Sequence, residues 1–291
     1  MQVIIHAGAH GTEEDRLMKT LLRNKEGFLA RGTSVPGPAK YRPLLKECMA
    51  ASKDHAPSED AQDLLWDAIL EEEHADRVVL SNPHFFGSQR DALDGQRLYP
   101  EAEDRMRALK ALFPDDDLEL YMAIRSPTGF LPKLLEKAGP GRRQDVLSTT
   151  NPAELRWSAM IARIRAAVPD VPITLWCYED LPMIWAQILR ELGNLEADSK
   201  VKGGMDLLGT IMTREGMRRM RAYLHDRPEI TEMYKRRIFA AFLDKYAIEE
   251  ALEEELDIEE WTPELIARIE EAYDADVDQL SRIPDVRLLT P

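Results

Sequence analysis

The sequence has little of three features that mark particular classes of protein: cysteine, long apolar runs and positive charge. Its two cysteines, Cys48 and Cys177, lie far apart and in no CxxC or Cys/His cluster, so we expect reduced thiols and a cytoplasmic protein. No apolar run approaches the ~20 residues of a membrane-spanning helix. Met1 and Gln2 lead directly into the first predicted strand, which indicates no signal peptide. The sequence therefore predicts no membrane span.

Positive charge is the third scarce feature. The 291 residues include 38 Lys and Arg against 53 Asp and Glu, which gives a net charge of −15 at pH 7. Nucleic acids and anionic membranes attract basic surfaces, so we expect no nucleic-acid partner. The composition, with 44% hydrophobic residues, is sufficient to bury the core of one large α/β domain or two small ones.

The chain begins with a predicted strand, a turn of small residues and a helix. Residues 3–5 are apolar and β-branched, which is typical of a buried parallel strand. Residues 6–12 form the turn, and Thr12 is a predicted N-cap with Asp15 in the capping-box position. Apolar residues recur at helical spacing over residues 17–28. Unpaired N–H groups at a helix N-terminus bind anions, so this turn is a predicted anion site.

The same residues resemble the phosphosulfate-binding loop of the sulfotransferase family, a relative of the nucleotide P-loop. Residues 6–15 read HAGAHGTEED, and the family loop usually has the form H-x-G-x-x-K-T-G-T-T. The residues in register are His6, Gly8, His10 and Thr12. The resemblance implies that the turn binds the phosphosulfate of 3′-phosphoadenosine 5′-phosphosulfate (PAPS). The candidate ligands are Gly8, Ala9, His10, Gly11, Thr12, Glu13 and Arg16.

The turn departs from the family form at several positions. Gly11 stands where the family has a lysine, and Glu13 stands where it has a glycine. Glu14 and Asp15 replace hydroxyl residues. At an effective dielectric constant of about 20, one carboxylate ~4 Å from a sulfonate costs about 4 kcal/mol, which equals the whole binding free energy of a millimolar ligand. Arg16 either replaces the missing lysine or pairs with a neighbouring acid.

A second buried strand is predicted over residues 77–81, and its end should face the first turn. The family often carries a hydroxyl or acidic residue here, with a role in acceptor binding or base catalysis. Pro83 occupies that position, and His84 is the nearest side chain able to take a proton, so it is a candidate catalytic base. The alternative is a histidine simply packed in a turn beside two phenylalanines. His10, in the first turn, is the second candidate catalytic residue.

A third predicted strand, residues 118–124, ends in Arg125. Together with the following Ser-Pro and helix it resembles the family's 3′-phosphate element, R-x-P before a helix that carries a serine. Arg125 matches the arginine, and Lys133 stands where the serine would fall, so both are candidate PAPS ligands. The alternative is a strand-end arginine in a salt bridge.

A fourth predicted strand, residues 172–177, precedes YEDL, which resembles the family's landmark before a long helix. The resemblance covers residues 1–193 and implies an α/β, P-loop NTPase-like three-layer fold with a central parallel sheet. We predict a core over residues 1–195, with the first strand at or next to the centre of the sheet. Residues 196–291 are predicted to be a mainly helical extension packed on that core.

The other segments are assigned from periodicity, capping residues and turn residues. We predict helices over residues 44–51, 56–74, 99–112, 130–137, 151–168, 182–193, 213–225, 227–257 and 261–283. We predict a loop over residues 30–43, a polar connector over 139–150 and an edge strand or tail over 284–289.

The sequence leaves three functions open. An active family member would transfer the sulfuryl group of PAPS to a hydroxyl or amine of a small-molecule or glycan acceptor, without a metal. A catalytically inactive relative would fill the anion site with its own carboxylates and bind a partner or a glycan. A P-loop kinase-like phosphotransferase is the weakest of the three possibilities, because the chain has no G-K-[ST] motif and no strand-end metal-binding aspartate beyond Asp180.

Overall fold

The computed structural model describes residues 1–13, 15–51, 58–70, 74–252, 258 and 260–291. In these residues the chain forms a six-stranded parallel sheet with helices on both faces. Glu14 lies outside the described residues. The same holds for parts of the two helices that are predicted over residues 56–74 and 227–257.

The strands of the large sheet are all parallel, and the first strand lies in its interior. The strands are β1 Gln2–His6, β2 Thr33–Ser34, β3 Arg77–Ser81, β4 Leu93–Asp94, β5 Arg97–Leu98, β6 Asp117–Ile124, β7 Ile173–Cys177 and β8 Val286–Leu289. The order in the sheet is β2-β3-β1-β6-β7-β8, and β4 and β5 form a separate antiparallel hairpin. The predicted parallel sheet with β1 next to its centre is confirmed.

Helices cover both faces of the sheet, and the helices between residues 208 and 246 form a separate apolar cluster. The helices are α1 Asp15–Arg23, α2 Lys25–Leu29, α3 Pro38–Ala51, α4 Glu59–Ile69, α5 Ala102–Leu112, α6 Pro127–Leu135, α7 Pro140–Thr149, α8 Trp157–Ala167, α9 Leu181–Leu192, α10 Leu208–Ile211, α11 Arg214–His225, α12 Glu232–Tyr246, α13 Glu249–Leu252 and α14 Pro263–Leu280.

Successive side chains of each strand enter two different cores. Val3 and Ile5 pack in a core with residues of α5, α8 and α14. Ile4 packs on the other face, with residues of α1 and α9. Because side chains alternate between the faces of a strand, a strand buried on both sides reads as a continuous apolar run. This explains why the β1 segment does not alternate between apolar and polar residues.

The C-terminal residues return to the sheet. β8 pairs with β7 in parallel, with Thr174 opposite Arg287. α14 lies against α8, where Asp276 accepts hydrogen bonds from the Ser158 backbone N–H and hydroxyl. Of the two alternatives predicted for residues 284–289, edge strand or tail, the edge strand is the correct one, and it covers Val286–Leu289.

Several local predictions are wrong. The predicted polar connector contains α7, which buries Val146. The predicted loop over residues 30–43 contains β2 and the first residues of α3, which continues past an internal Pro43. Residues 152–154 form one 3-10 turn, so the next α-helix begins only at Trp157. Proline and polar residues led to loops being predicted where tertiary packing stabilises helices.

One capping prediction is also wrong. Thr12 does not cap α1, which begins at Asp15; its hydroxyl donates instead to the Ala9 carbonyl at 2.7 Å.

Candidate functional site

A cleft of about 970 Å³ opens at the carboxyl ends of β1, β6 and β7. The chain leaves β1 toward β2 on one side and leaves β6 toward β7 on the other, so β1 and β6 form the switch point at which open parallel sheets bind ligands. The lining side chains include four carboxylates, two cations, hydroxyl groups and apolar groups. They include Thr12, Glu13, Asp15, Arg16, Lys19, Ser126, Thr128, Tyr178, Glu179, Leu181, Pro182, Leu207 and Glu270.

The turn after β1 uses much of its own backbone inside the protein. The N–H groups of Ala7 and Ala9 donate to carbonyls of β6, at 2.9 and 3.1 Å. The His10 N–H donates to the Tyr99 hydroxyl at 2.8 Å, and the Thr12 N–H donates to the Ala9 carbonyl at 3.3 Å. These four amides have protein acceptors, so they are not directed at a ligand in the cleft.

Glu13 turns its side chain inward, under this turn. Its Oε1 lies 3.1 Å from Nε2 of His6, and the other ring nitrogen of His6 lies 2.9 Å from the Ser81 hydroxyl. The His6 ring stacks on Trp176, and Glu13 is only 5% exposed. Its Oε2 would be 3.7 Å from a Cβ at Gly8. The carboxylate of Glu13 thus lies beside the turn that is predicted from the sequence to bind an anion.

A second set of carboxylates lies at the N-terminus of α6. Oε1 of Glu270 accepts hydrogen bonds from the hydroxyls of Ser126, at 2.8 Å, and Thr128. Oε1 of Glu179 accepts from the Ser126 backbone N–H at 2.8 Å, and its Oε2 accepts from Tyr273 at 3.1 Å. Although part of Glu179 is exposed, desolvation of its carboxylate raises its pKa. Helix N-termini favour negative charge, and here the chain provides it.

Arg125 extends from the end of β6 toward the first turn. Its guanidinium donates to the Gly11 carbonyl and lies 4.4 Å from the centre of the Tyr178 ring. Gly11 has φ +77°, and a Cβ there would lie 2.8 Å from Cβ of Lys133. The Lys133 ammonium group lies 3.5 Å from Glu136. The two predicted 3′-phosphate ligands are therefore neighbours of the predicted phosphosulfate turn.

The two candidate catalytic histidines are in contact. Nε2 of His10 lies 3.2 Å from Nδ1 of His84, and Nδ1 of His10 lies 2.8 Å from the Tyr99 hydroxyl. His10 is buried and His84 is exposed. Burial, together with His84, lowers the pKa of His10 to about 4, while Asp91 opposes the shift. His10 is therefore neutral at pH 7.

Every predicted site residue lies at the carboxyl edge of the sheet or directly beside it, with Arg16 on the cleft wall. The sequence prediction missed Tyr99 and Glu270. The sequence predicts Tyr99 only as the start of a helix, whereas in the structure it has φ +43°, which is rare for a bulky residue. Glu270 lies on α14, far along the chain, and its sequence context carries no signal for this site.

In the described part of the chain, no helix is both long and apolar enough to cross a membrane. The described residues also include no group of three or more His, Cys, Asp or Glu side chains suited to binding a metal ion.

In comparisons with known proteins, no family model and no curated protein matches the sequence.

Proposed function

We propose that this chain is a sulfotransferase-like binding protein whose anion positions are filled by its own carboxylates. The observation that carries the proposal is the placement of Glu13 beside the turn after β1 and of Glu270 at the N-terminus of α6. In the family resemblance these positions correspond to the phosphosulfate turn and the 3′-phosphate element. Both ends of a PAPS molecule would therefore meet a carboxylate.

Electrostatics makes this arrangement unfavourable for PAPS. At an effective dielectric constant of about 20, two like charges ~4 Å apart repel by about 4 kcal/mol, and PAPS would meet such a repulsion at each end. The cations on the cleft wall are exposed, so water and salt screen their attraction for an anion. Millimolar affinity amounts to only about 4 kcal/mol, so we expect no measurable binding of the nucleotide.

The cleft itself remains large enough for a small molecule or a segment of a partner. Its carboxylates and hydroxyls accept and donate hydrogen bonds, and Tyr178, Pro182 and Leu207 add apolar surface. This mixture is suited to polar ligands with many hydroxyl groups. A glycan, or a protein partner presenting polar side chains, is the ligand that we propose.

The second candidate function is sulfuryl transfer from PAPS to a hydroxyl or amine acceptor. The specific observation in its favour is that Arg125, Lys133 and Gly11 are neighbours, with the His10–His84 pair beside them. In this alternative Arg16 and Lys19, on the cleft wall, would neutralise the phosphosulfate in place of the missing lysine.

A titration with adenosine 3′,5′-bisphosphate separates the two candidates. A lysine at position 11 is not a suitable test, because it would combine a positive φ with a clash against Lys133. The better variant is Glu13→Gln combined with Glu270→Gln, which removes both charges and keeps side-chain size. Its matched control is Glu229→Gln, on an exposed loop.

We expect calorimetry to detect no binding by the wild type or by the control. The double variant should bind with a Kd in the millimolar range or below, because two repulsions have been removed. Tight binding by the wild type would favour the active sulfotransferase. Absence of binding by the double variant would show that the two carboxylates are not what excludes the nucleotide, and the proposal would fail.

A further inference from the structure

Tyr99, His10 and His84 form a chain of hydrogen bonds that runs from the core to the surface. The Tyr99 hydroxyl oxygen lies 2.8 Å from the backbone nitrogen of His10 and 2.8 Å from its Nδ1. The other ring nitrogen of His10 lies 3.2 Å from Nδ1 of His84. Tyr99 is 1% exposed and packs among Phe86, Phe130 and Trp157, whereas His84 is exposed. The outermost atom of this chain is Nε2 of His84.

The direction of the first hydrogen bonds follows from what each group can do. The backbone N–H of His10 can only donate, so the Tyr99 oxygen accepts there. The phenol proton then needs an acceptor of its own. Among the described residues, Nδ1 of His10 is the acceptor within hydrogen-bond distance. Burial raises the pKa of Tyr99, so the phenol keeps its proton at neutral pH. Nδ1 of His10 is therefore the unprotonated nitrogen.

The same reasoning gives the direction of the hydrogen bond between His10 and His84. A neutral imidazole has one proton, so His10 carries it on Nε2 and donates it to Nδ1 of His84. A neutral His84 then carries its own proton on Nε2. The reverse arrangement would leave the buried phenol proton without an acceptor, and the cost of an unsatisfied buried donor disfavours it by about tenfold or more.

We propose that Tyr99 fixes the tautomers of both histidines, so that His84 presents an N–H donor and recognises an oxygen acceptor on a ligand. Asp91, whose negative charge acts on the neighbouring His10, disfavours an anion here. The ligand group of this site is therefore an uncharged oxygen, such as a sugar hydroxyl or an amide carbonyl. Tyr99 is a positioning residue, and His84 is the residue that contacts the ligand.

This role is opposite to that of a catalytic base. A base would need an unprotonated Nε2 facing its substrate, with Nδ1 of His84 donating inward. The inference is independent of the proposed function, because it concerns the histidine pair and not the carboxylates Glu13 and Glu270. It holds whether or not adenosine 3′,5′-bisphosphate binds.

Long-range ¹H–¹⁵N NMR of the full, ¹⁵N-labelled chain at pH 7.5 tests the proposal. We expect both His10 and His84 to be protonated on Nε2, with the other tautomer about tenfold or more less populated. Tyr99→Phe removes the phenol proton that needs an acceptor, so His84 should then populate both tautomers.

Tyr41→Phe is the matched control. Tyr41 is equally buried, and its hydroxyl accepts from the Ser81 backbone N–H and donates to the Ser81 carbonyl, both at 2.8 Å. Because these hydrogen bonds are to Ser81 and not to the histidine pair, the tautomer of His84 should stay as in the wild type.

Two results would overturn the proposal. One is a wild-type spectrum in which His84 is protonated on Nδ1, which would restore the base interpretation. The other is an equal change in both tyrosine variants, which would show general loosening of the core. If Tyr99→Phe does not fold, the wild-type spectrum alone decides, since it reports the tautomer of each histidine directly.

Discussion

Carboxylates at the amino edge of the sheet are paired with guanidinium groups, whereas three carboxylates of the cleft, Glu13, Glu179 and Glu270, form their described hydrogen bonds with other kinds of group. At the amino edge, Glu119 lies 3.7 Å from Arg77 and accepts hydrogen bonds from two further side chains. Glu191 lies 2.6 Å from Arg287. In these pairs the charges cancel over a short distance, and the groups hold the ends of strands and α9 together.

Inside the cleft, the partners are different. Glu13 contacts an imidazole, Glu270 accepts from two hydroxyls, and Glu179 accepts from a backbone N–H and a phenol. Asp15, at the rim, does form an ion pair, with Arg42 at 2.9 Å. Hydroxyl, backbone N–H and phenol donors carry no net charge, so their hydrogen bonds to Glu179 and Glu270 do not cancel the negative charge of a carboxylate. The difference fits the proposal that the carboxyl edge serves recognition, whereas the ion pairs of the amino edge serve stability.

The largest expected effect is at the amino edge. Arg77→Ala should lower the free energy of unfolding by about 3 kcal/mol, because it leaves Glu119 and the carbonyl of Glu191 without a buried cationic donor. Urea unfolding at pH 7 measures this. Arg219→Ala, which breaks an exposed ion pair with Glu215, is the matched control and should leave the free energy of unfolding nearly unchanged, because water and salt screen such a pair. A loss below 1 kcal/mol for Arg77→Ala would contradict the structural role.

The second effect is a pH dependence that belongs to the carboxyl edge. The pKa of His10 is about 4 in the folded protein, below its ordinary value of 6.5. Between these values the unfolded chain binds a proton that the folded protein does not, so stability falls as the pH falls. From pH 7.5 to 5 this loss should be about 2 kcal/mol.

His10→Gln should remove that part of the pH dependence, as measured by urea unfolding at the two pH values. His225→Gln, which replaces an exposed histidine in the last turn of α11, is the control and should keep the wild-type slope. If the free energy of unfolding changed equally with pH in the wild type and in His10→Gln, His10 would not be the titrating group.

The smallest expected effects are the changes in the free energy of unfolding caused by two glutamate substitutions, one at each edge of the sheet. Glu119→Gln should cost about 1.5 kcal/mol, because Arg77 loses a charged acceptor. Glu270→Gln should change the free energy of unfolding by about 0.5 kcal/mol or less, because the amide oxygen still accepts from the hydroxyls of Ser126 and Thr128. Equal losses in urea unfolding would remove the distinction between the two edges.

The sequence was sufficient for the central strands because burial on both faces leaves a simple pattern. Residues 3–5, 77–81 and 118–124 are almost continuously apolar, and each lies in a strand. The two-residue β2 and the polar α7 were missed because neither contains enough apolar residues to set a period. Their structures depend on neighbours in space.

The site was predictable only where its residues follow strand ends. Parallel strands carry their turns to one edge, so His10 and His84 were expected to be near each other. Glu270 reaches the cleft from α14, and no local pattern in that helix indicates which turn of the sheet it will contact. The direction of the hydrogen bonds through Tyr99 likewise depends on a contact between residues 89 positions apart.

The position of β8 has a consequence for the order in which the protein can be completed during synthesis. Residues 178–285 lie between β7 and β8, so the outer edge of β7 stays unpaired while they are made. An open strand edge can pair with another chain, and pairing across a long sequence separation is slow. We therefore expect ribosome-bound chains that lack residues 286–289 to depend on chaperones more than the finished protein, which closes that edge with its own backbone.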